Sequence, residues 1–288
     1  MTIIAFVGSV FSSYYAWAQR NGNAGRADPE NHCCLNVALY GPPGQRGAKR
    51  WTMTERSRAS ITREARRFVI GPSRLEWDGQ ALTIHVDEVT VPIPGRVRGT
   101  VRVVPQRLFN FSTALDDGAR HHWGPIAPSA RVEVAFDSPG TRWSGHAYLD
   151  SNEGTEPIER PFTEWDWSRC SLRDGSTAVI YDVRQKQGAD RVLALRFTQD
   201  GEVEPFEPPP RQALPRTLWR IGRTMRTDPG VPATVTRTLE DTPFYARSML
   251  RSGLLGEAVE SVHETLSVPR LVSPAVRFML PWRMPRVK

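Results

Sequence analysis

The chain has 288 residues, 39% hydrophobic and 24% charged, proportions that fit a globular protein with a sizeable core and exclude wholesale disorder. Its net charge of +7 is almost wholly arginine, because Lys49, Lys186 and Lys288 are the only lysines. The arginines form no compact basic run and no zinc finger accompanies them, which argues against nucleic acid as a partner.

Strand signals dominate from the first residues onward. Residues 3–11 are apolar but short, carry Gly8 and Ser9, and have no positive charge ahead of them. They read as a first strand over 5–11, although Ala16-Trp17-Ala18 resembles a cleavage site. Further strands are expected at 33–40, 51–56, 61–70, 82–88, 97–104, 130–136 and 143–149. A second run follows at 163–169, 178–183, 192–197, 216–221 and 235–239. Leu82-Ile84-Val86 beside Thr83-His85-Asp87 gives the cleanest alternation. Arg96-Val97-Arg98 and Arg102-Val103 alternate too, as arginines do on the wet face of a strand. Gly41-Pro42-Pro43-Gly44 and Pro208-Pro209-Pro210 read as breaks. The one expected helix covers 246–262, despite Gly253 and Gly256 inside it. So many strands exceed one small barrel and predict two β-barrel or sandwich units, 1–140 and 141–288.

Cys33 and Cys34 are adjacent and Cys170 stands alone, so no disulfide framework and no zinc spacing is available. The chain also lacks G-x-S-x-G, a P-loop and a dinucleotide glycine pattern. The informative stretches are R-H-H-W, with His121 and Trp123, and G-H-A-Y-L-D, with Tyr148 and Asp150. Residues two apart on a strand share a face. A hairpin is expected between them, alternating over 131–136 and 142–148 around the turn Ser138-Pro139-Gly140. If both pairs point inward, an imidazole, an indole, a phenol and a carboxyl meet in one pocket. From these residues alone, Trp123 and Tyr148 read as ordinary barrel core, Asp150 as a turn or cap residue and His121 as a surface or hydrogen-bonded histidine.

Longer motifs carry a resemblance. F-V-G-S-V-F-S-S-Y-Y (6–15), N-H-C-C-L-N-V-A-L-Y-G (31–41), H-W-G-P-I-A-P-S-A-R-V-E-V (122–134) and A-Y-L-D-S-N (147–152) resemble the bacterial carotenoid 1,2-hydratases, also called hydroxyneurosporene synthases. L-P-R-T-L-W-R (214–220), R-T-L-E-D-T-P-F-Y-A-R-S (237–248) and M-L-P-W-R-M-P-R (279–286) extend it over nearly the whole chain. The resemblance implies an all-β fold of two lipocalin-like domains with a few short helices. It also implies cofactor-free addition of water to the terminal double bond of an acyclic carotenoid such as neurosporene or lycopene. The family's catalytic group matches His121, Trp123, Tyr148 and Asp150, with Asp150 as the acid. The chain departs from the family at Ser13, where Pro is usual, and at Cys34, where a small residue is usual. Asp166 is not carried over.

The chemistry then assigns roles. Burial raises the pKa of Asp150 and makes it a proton donor to C2. The rings of Trp123 and Tyr148 flank the cation at C1, worth roughly 1–2 kcal/mol per well-placed ring. His121 orients Asp150 or takes the proton of the attacking water, and His146 is a weaker candidate for that work. Trp165, Asp166 and Trp167 read as structural, and Glu240-Asp241 as a loop or strand-end ion pair. A substrate dissolved in lipid implies peripheral contact with membrane lipid on the cytoplasmic side. A non-catalytic lipocalin-like carrier of an apolar ligand is the alternative from another class. A carrier gains nothing from burying Asp150, because an unpaired buried carboxylate costs several kcal/mol.

Overall fold

The computed structural model describes residues 1–21, 27–42 and 49–287. The chain is all-β with short helices, as expected, and it divides into two units. The first comprises 1–105, 131–146 and 277–288, and the second 106–130 and 147–276. Residue 140 lies inside the first unit, in the turn between the long strands His121–Ser138 and Thr141–Gly154.

In the first unit, Thr2–Val7, Cys33–Leu39, Arg50–Arg56 and Arg286–Val287 form one sheet in that order. Cys33–Leu39 is buried at every position, which explains its unbroken apolar run. The first strand starts and ends earlier than 5–11, because Gly8 turns the chain with a φ of 70°. A second sheet meanders through Ile61–Glu64, Arg67–Ile70, Ser73–Trp77, Leu82–Val89 and Arg96–Pro105, then through residues 131–138 and 141–146 of the long hairpin. The segment 61–70 is therefore two strands and not one, with Ala65 and Arg66 forming the turn. Val97, Val101 and Val103 are buried while Arg96 and Arg98 are exposed, the alternation of a half-wet strand. Gly99 is required there: a Cβ would sit 2.3 Å from the carbonyl oxygen of Ala135.

A helix, Ser13–Asn21, escaped the strand-centred sequence reading, as did Pro274–Arg283. Ser12 caps the former through its hydroxyl, which accepts from Tyr15 N at 2.9 Å. Pro281 inside the latter has no N–H for the carbonyl of Arg277, and the Ser13 hydroxyl donates to that oxygen at 2.7 Å. Of the turn at 41–44, Pro43 and Gly44 lie outside the described residues.

In the second unit, seven strands run in the order Val203–Pro205, Arg191–Phe197, Thr177–Gln185, Phe162–Ser171, Glu257–Ser267, Tyr245–Leu254 and Thr234–Asp241. The expected helix 246–262 is instead the hairpin of Tyr245–Leu254 and Glu257–Ser267. Leu255 and Gly256 both take positive φ, 55° and 76°, the geometry of a two-residue hairpin turn. Val259, Ser261, His263 and Thr265 are buried at every second position, a period that no helix has. Residues 216–221 form no strand; Arg220 N donates to Thr217 O at 2.8 Å and closes a turn with Arg220 at φ 59°. A small hairpin, Arg211–Ala213 with Thr224–Arg226, flanks that turn.

Candidate active site

All four residues singled out by the sequence fall in the second unit. His121 and Trp123 begin the strand His121–Ser138, where Thr113–Ala114 pairs with it at His122 and Trp123. Tyr148 and Asp150 stand on Thr141–Gly154, the neighbouring strand. Both buried members of the first pair, His121 and Trp123, alternate with the half-buried His122.

Asp150 is the convergence point. Trp123 Nε1 donates to its Oδ2 at 2.9 Å, and the Tyr148 hydroxyl donates to the same oxygen at 3.1 Å. Asp150 has no ion-pair partner among the described residues. As a residue it is half-buried, yet its carboxyl sits amid dense protein. Burial raises its pKa, and nearby Glu264 adds to the rise, while Trp123, Tyr148 and Arg169 pull the other way without prevailing. With Oδ2 taken by two donors, Oδ1 is the oxygen left to carry a proton.

Aromatic rings pack against both hydrogen-bond donors to this carboxyl. Trp123 is 1% exposed and makes edge contacts with Tyr181 at 5.6 Å, Phe197 at 6.4 Å and Phe111 at 6.5 Å. Trp167 lies 5.5 Å from Tyr148. Burial pushes the Tyr148 phenol well above its ordinary value, and the Asp150 charge pushes it further, so it is a donor of hydrogen bonds and a poor acid.

Arg169 belongs here although the sequence reading passed over it. Its guanidinium lies over the Tyr148 ring, 4.9 Å from the centroid, and its charge couples to both Tyr148 and Asp150. The signal was present in W-D-W-S-R: Trp165, Trp167 and Arg169 share one strand face by period two, while Asp166 faces the other way. Asp166 is held by Thr265 at 2.5 Å and Thr224 at 2.6 Å, a buried structural carboxylate.

His121 does not join Asp150 by any hydrogen bond among the described residues. Its Nε2 bonds the carbonyl of Glu156 at 2.9 Å, and its Nδ1 stands 3.4 Å from Asp116 Oδ1 without making a hydrogen bond. Its ring packs on Phe162 and against the backbone at Gly154, where a Cβ would come within 2.6 Å of it. Asp116, His121 and Glu156 offer ligand atoms within 4.8 Å of one another. Glu156 accepts from Arg120 and Arg160, and Asp116 from the backbone N–H of His121 and Arg120, while His121 Nδ1 is left without a hydrogen bond. Burial raises the pKa of Asp116, but those two N–H groups outweigh it and hold the carboxyl low. His146 is exposed. Glu240 pairs with Arg247 at 3.1 Å and Asp241 accepts from Leu218 N at 2.7 Å, both at a strand end as expected.

Two surface pockets of this unit, of about 450 and 500 Å³, are lined by other residues, among them Asp174, Arg196 and Glu204 in one and Asp166, Arg184 and Arg223 in the other. The site is therefore defined by the contacts of the Asp150 carboxyl and not by an open cavity. What the arrangement can do is present one desolvated carboxyl oxygen, its hold on a proton strengthened by burial, to an apolar ligand.

Known proteins are similar to this chain. Residues 3–288 match the family model described as carotenoid hydratase CrtC. The chain is 68% identical over 286 residues to the acyclic carotenoid 1,2-hydratase of Rubrivivax gelatinosus, covering 99% of this chain and 69% of that one. It is 56% identical over 288 residues to the acyclic carotenoid 1,2-hydratase of Thiocapsa roseopersicina, covering 100% and 69%. The enzyme of that name from Cereibacter sphaeroides is 38% identical over 285 residues, with 99% and 98% covered. Among solved structures, an AttH-type protein from Nitrosomonas europaea superposes with a TM-score of 0.54 at 12% identity, covering 81% of this chain and 85% of that one, and so shares the fold.

Proposed function

The chain belongs to the carotenoid hydratase CrtC family, and we propose that it adds water across the terminal C1=C2 double bond of acyclic carotenoids such as neurosporene and lycopene. The observation that carries this reading is the Asp150 carboxyl, desolvated, without an ion pair, and hydrogen-bonded through one oxygen only. Its Oδ1 proton goes to C2, the π electrons form the new C–H bond, and the tertiary cation is left on C1. The rings of Trp123 and Tyr148 flank that charge. Water adds at C1, and the oxonium proton returns to the Asp150 carboxylate, so the acid is regenerated and the net change is one water added. Trp123, Tyr148 and Arg169 favour the carboxylate formed midway, and burial favours the acid that starts and ends the cycle.

His121 enters this scheme as a positioning residue. Its contacts with Glu156, Phe162 and the backbone at Gly154 brace the strand that carries Asp150. The carrier alternative is weakened by the acid: a pocket that merely holds a hydrocarbon has no use for a desolvated carboxyl beside it.

No described helix is long and apolar enough to cross a membrane. The proposed station is peripheral, on the cytoplasmic side of the bilayer that dissolves the substrate. The test of function is a pigment profile: cells making lycopene or neurosporene together with this chain accumulate the 1-hydroxy product. Unchanged pigments, with the protein expressed and folded, refute the assignment.

A further inference from the structure

The segment L-P-R-T-L-W-R-I (214–221) lies in the second unit and mixes anchors with exposed groups. Leu214, Thr217 and Ile221 are buried, whereas Leu218 is 88% exposed and Trp219 49%. The exposure is built in. Leu218 N donates to Asp241 Oδ2 at 2.7 Å, and Arg270 donates to Trp219 O at 2.8 Å and to Arg220 O at 3.2 Å. The braced turn thus holds two large apolar side chains in water. Single exposed apolar residues are ordinary, but an adjacent pair on a rigid tip marks an interaction site.

Arg216 and Arg220 flank that pair. Both are exposed, and neither guanidinium has a hydrogen bond, ion pair or ring contact among the described residues. They line the pocket of about 500 Å³ that Arg184, Arg223 and Arg270 also border. Its two acids, Glu164 and Asp166, are both paired with Arg184. Arg223 and Arg270 donate to carbonyl and hydroxyl oxygens, which accept hydrogen bonds without cancelling charge. Asp241, the acid bound to the turn, couples to Arg223. The rim therefore keeps two cations whose donors are open.

We propose that the turn 214–221 seats on a bilayer surface, with Arg216 and Arg220 on the phosphate of an anionic phospholipid and Leu218 and Trp219 in the acyl boundary. The planar fork of an unpaired guanidinium matches phosphate oxygens two at a time. The apolar tip selects a lipid phosphate over a dissolved one, because a free phosphate leaves Leu218 without a partner. Tryptophan beside arginine suits the headgroup boundary, where the ring is half in lipid and the cation stays with the phosphates. So small a tip holds the protein reversibly, and salt weakens the hold. The purpose of this contact rests on the hydratase reading, since a substrate dissolved in lipid brings the enzyme to a bilayer; its geometry uses none of the Asp150 contacts.

The experiment is flotation of the full chain with vesicles of phosphatidylcholine alone or mixed with phosphatidylglycerol. Beside the wild type stand Arg216→Gln/Arg220→Gln, Arg216→Lys/Arg220→Lys and Leu218→Ser. The wild type is expected to float with the anionic vesicles and to be released in part at about 0.5 M salt, where surface charge is screened. The glutamine pair, melting as the wild type does, is expected to bind them roughly 30-fold more weakly, the loss of two surface cations. The lysine pair should recover most of that loss, and Leu218→Ser should bind roughly tenfold more weakly than the wild type. Should the glutamine pair melt lower, the salt release and Leu218→Ser decide. Wild-type flotation by the glutamine pair or by Leu218→Ser, or no preference for anionic vesicles, overturns the docking surface. So does self-association that Leu218→Ser abolishes, since a second copy would then cover the tip. Pyrophosphate that binds the wild type and not the glutamine pair in titration calorimetry, with no flotation by either, assigns the arginines to a dissolved anion and overturns the lipid. All four proteins are expected to hydrate detergent-dispersed lycopene at equal rates. Lycopene left unhydrated by all of them, with the flotation differences intact, refutes the hydratase reading and leaves the surface standing.

Discussion

Asp150→Asn separates catalysis from folding more cleanly than any other change to this chain. Asparagine keeps a carbonyl oxygen where Trp123 Nε1 and the Tyr148 hydroxyl donate, so both hydrogen bonds, each worth about 1 kcal/mol net, survive. What is lost is the transferable proton. The neighbouring phenol does not replace it, because burial drives the Tyr148 pKa upward. Losing a positioned general acid costs about 10²–10⁴ in rate, and with no other acid hydrogen-bonded at this position the expected fall is near the upper end. Stability should move the other way. The folded-state pKa of Asp150 is raised above the unfolded carboxylate value of about 3.9, so the native state holds the extra proton in the window between them. Stability contributed by this group is therefore full below the unfolded value and is lost as pH rises through the folded one. At neutral pH the amide escapes that loss, and its melting temperature should equal or exceed the wild type. The assay pairs hydration of detergent-dispersed lycopene, followed by chromatography, with thermal melts from acid to neutral pH. A variant within tenfold of wild-type rate, or one that melts lower at neutral pH and higher in acid, refutes the assignment of a desolvated acid.

The Trp123 bond lowers the Asp150 pKa, so Trp123→Phe should move the alkaline limb of the pH–rate profile upward while keeping an aromatic face. Trp123→Ala should lose more rate and about 3–5 kcal/mol of stability, and equal rate losses in the two variants would show that the ring only packs. Arg169→Met should also shift that limb upward, since the guanidinium favours the Asp150 carboxylate; an unmoved profile would uncouple the two groups. His121→Gln offers an amide in place of Nε2 toward the Glu156 carbonyl and should keep activity within about tenfold, with both limbs of the profile unmoved. Loss of the acid limb in that variant would make His121 the acceptor of the water proton.

Period-two patterning made the hairpin around Ser138-Pro139-Gly140 legible, and with it the pairs His121/Trp123 and Tyr148/Asp150. Spacing could say that each pair shares a face. It could not say that Trp123 reaches across strands to Asp150 while His121, on the same strand, turns to Glu156, because that depends on the register between neighbouring strands. Arg169 was overlooked for a different reason: an arginine in an alternating run looks like one more wet-face cation until the facing strand is known. Apolar residues of 246–262 suggested a helix because serine and glycine at the intervening positions masked the two-residue period, yet Gly256 was the hairpin turn itself. Ser13, noted only as a departure from the family, proves to satisfy the carbonyl that Pro281 leaves without a donor.

An acid tethered through a single oxygen has one direction in which to release its hydrogen. Trp123 and Tyr148 together fix the carboxyl plane, so Oδ1 addresses one side of whatever olefin lies against it. Run in heavy water, such a site would write deuterium onto C2 with a single handedness, and the isotopic configuration of the product becomes a record of how the indole and the phenol hold their carboxylic acid.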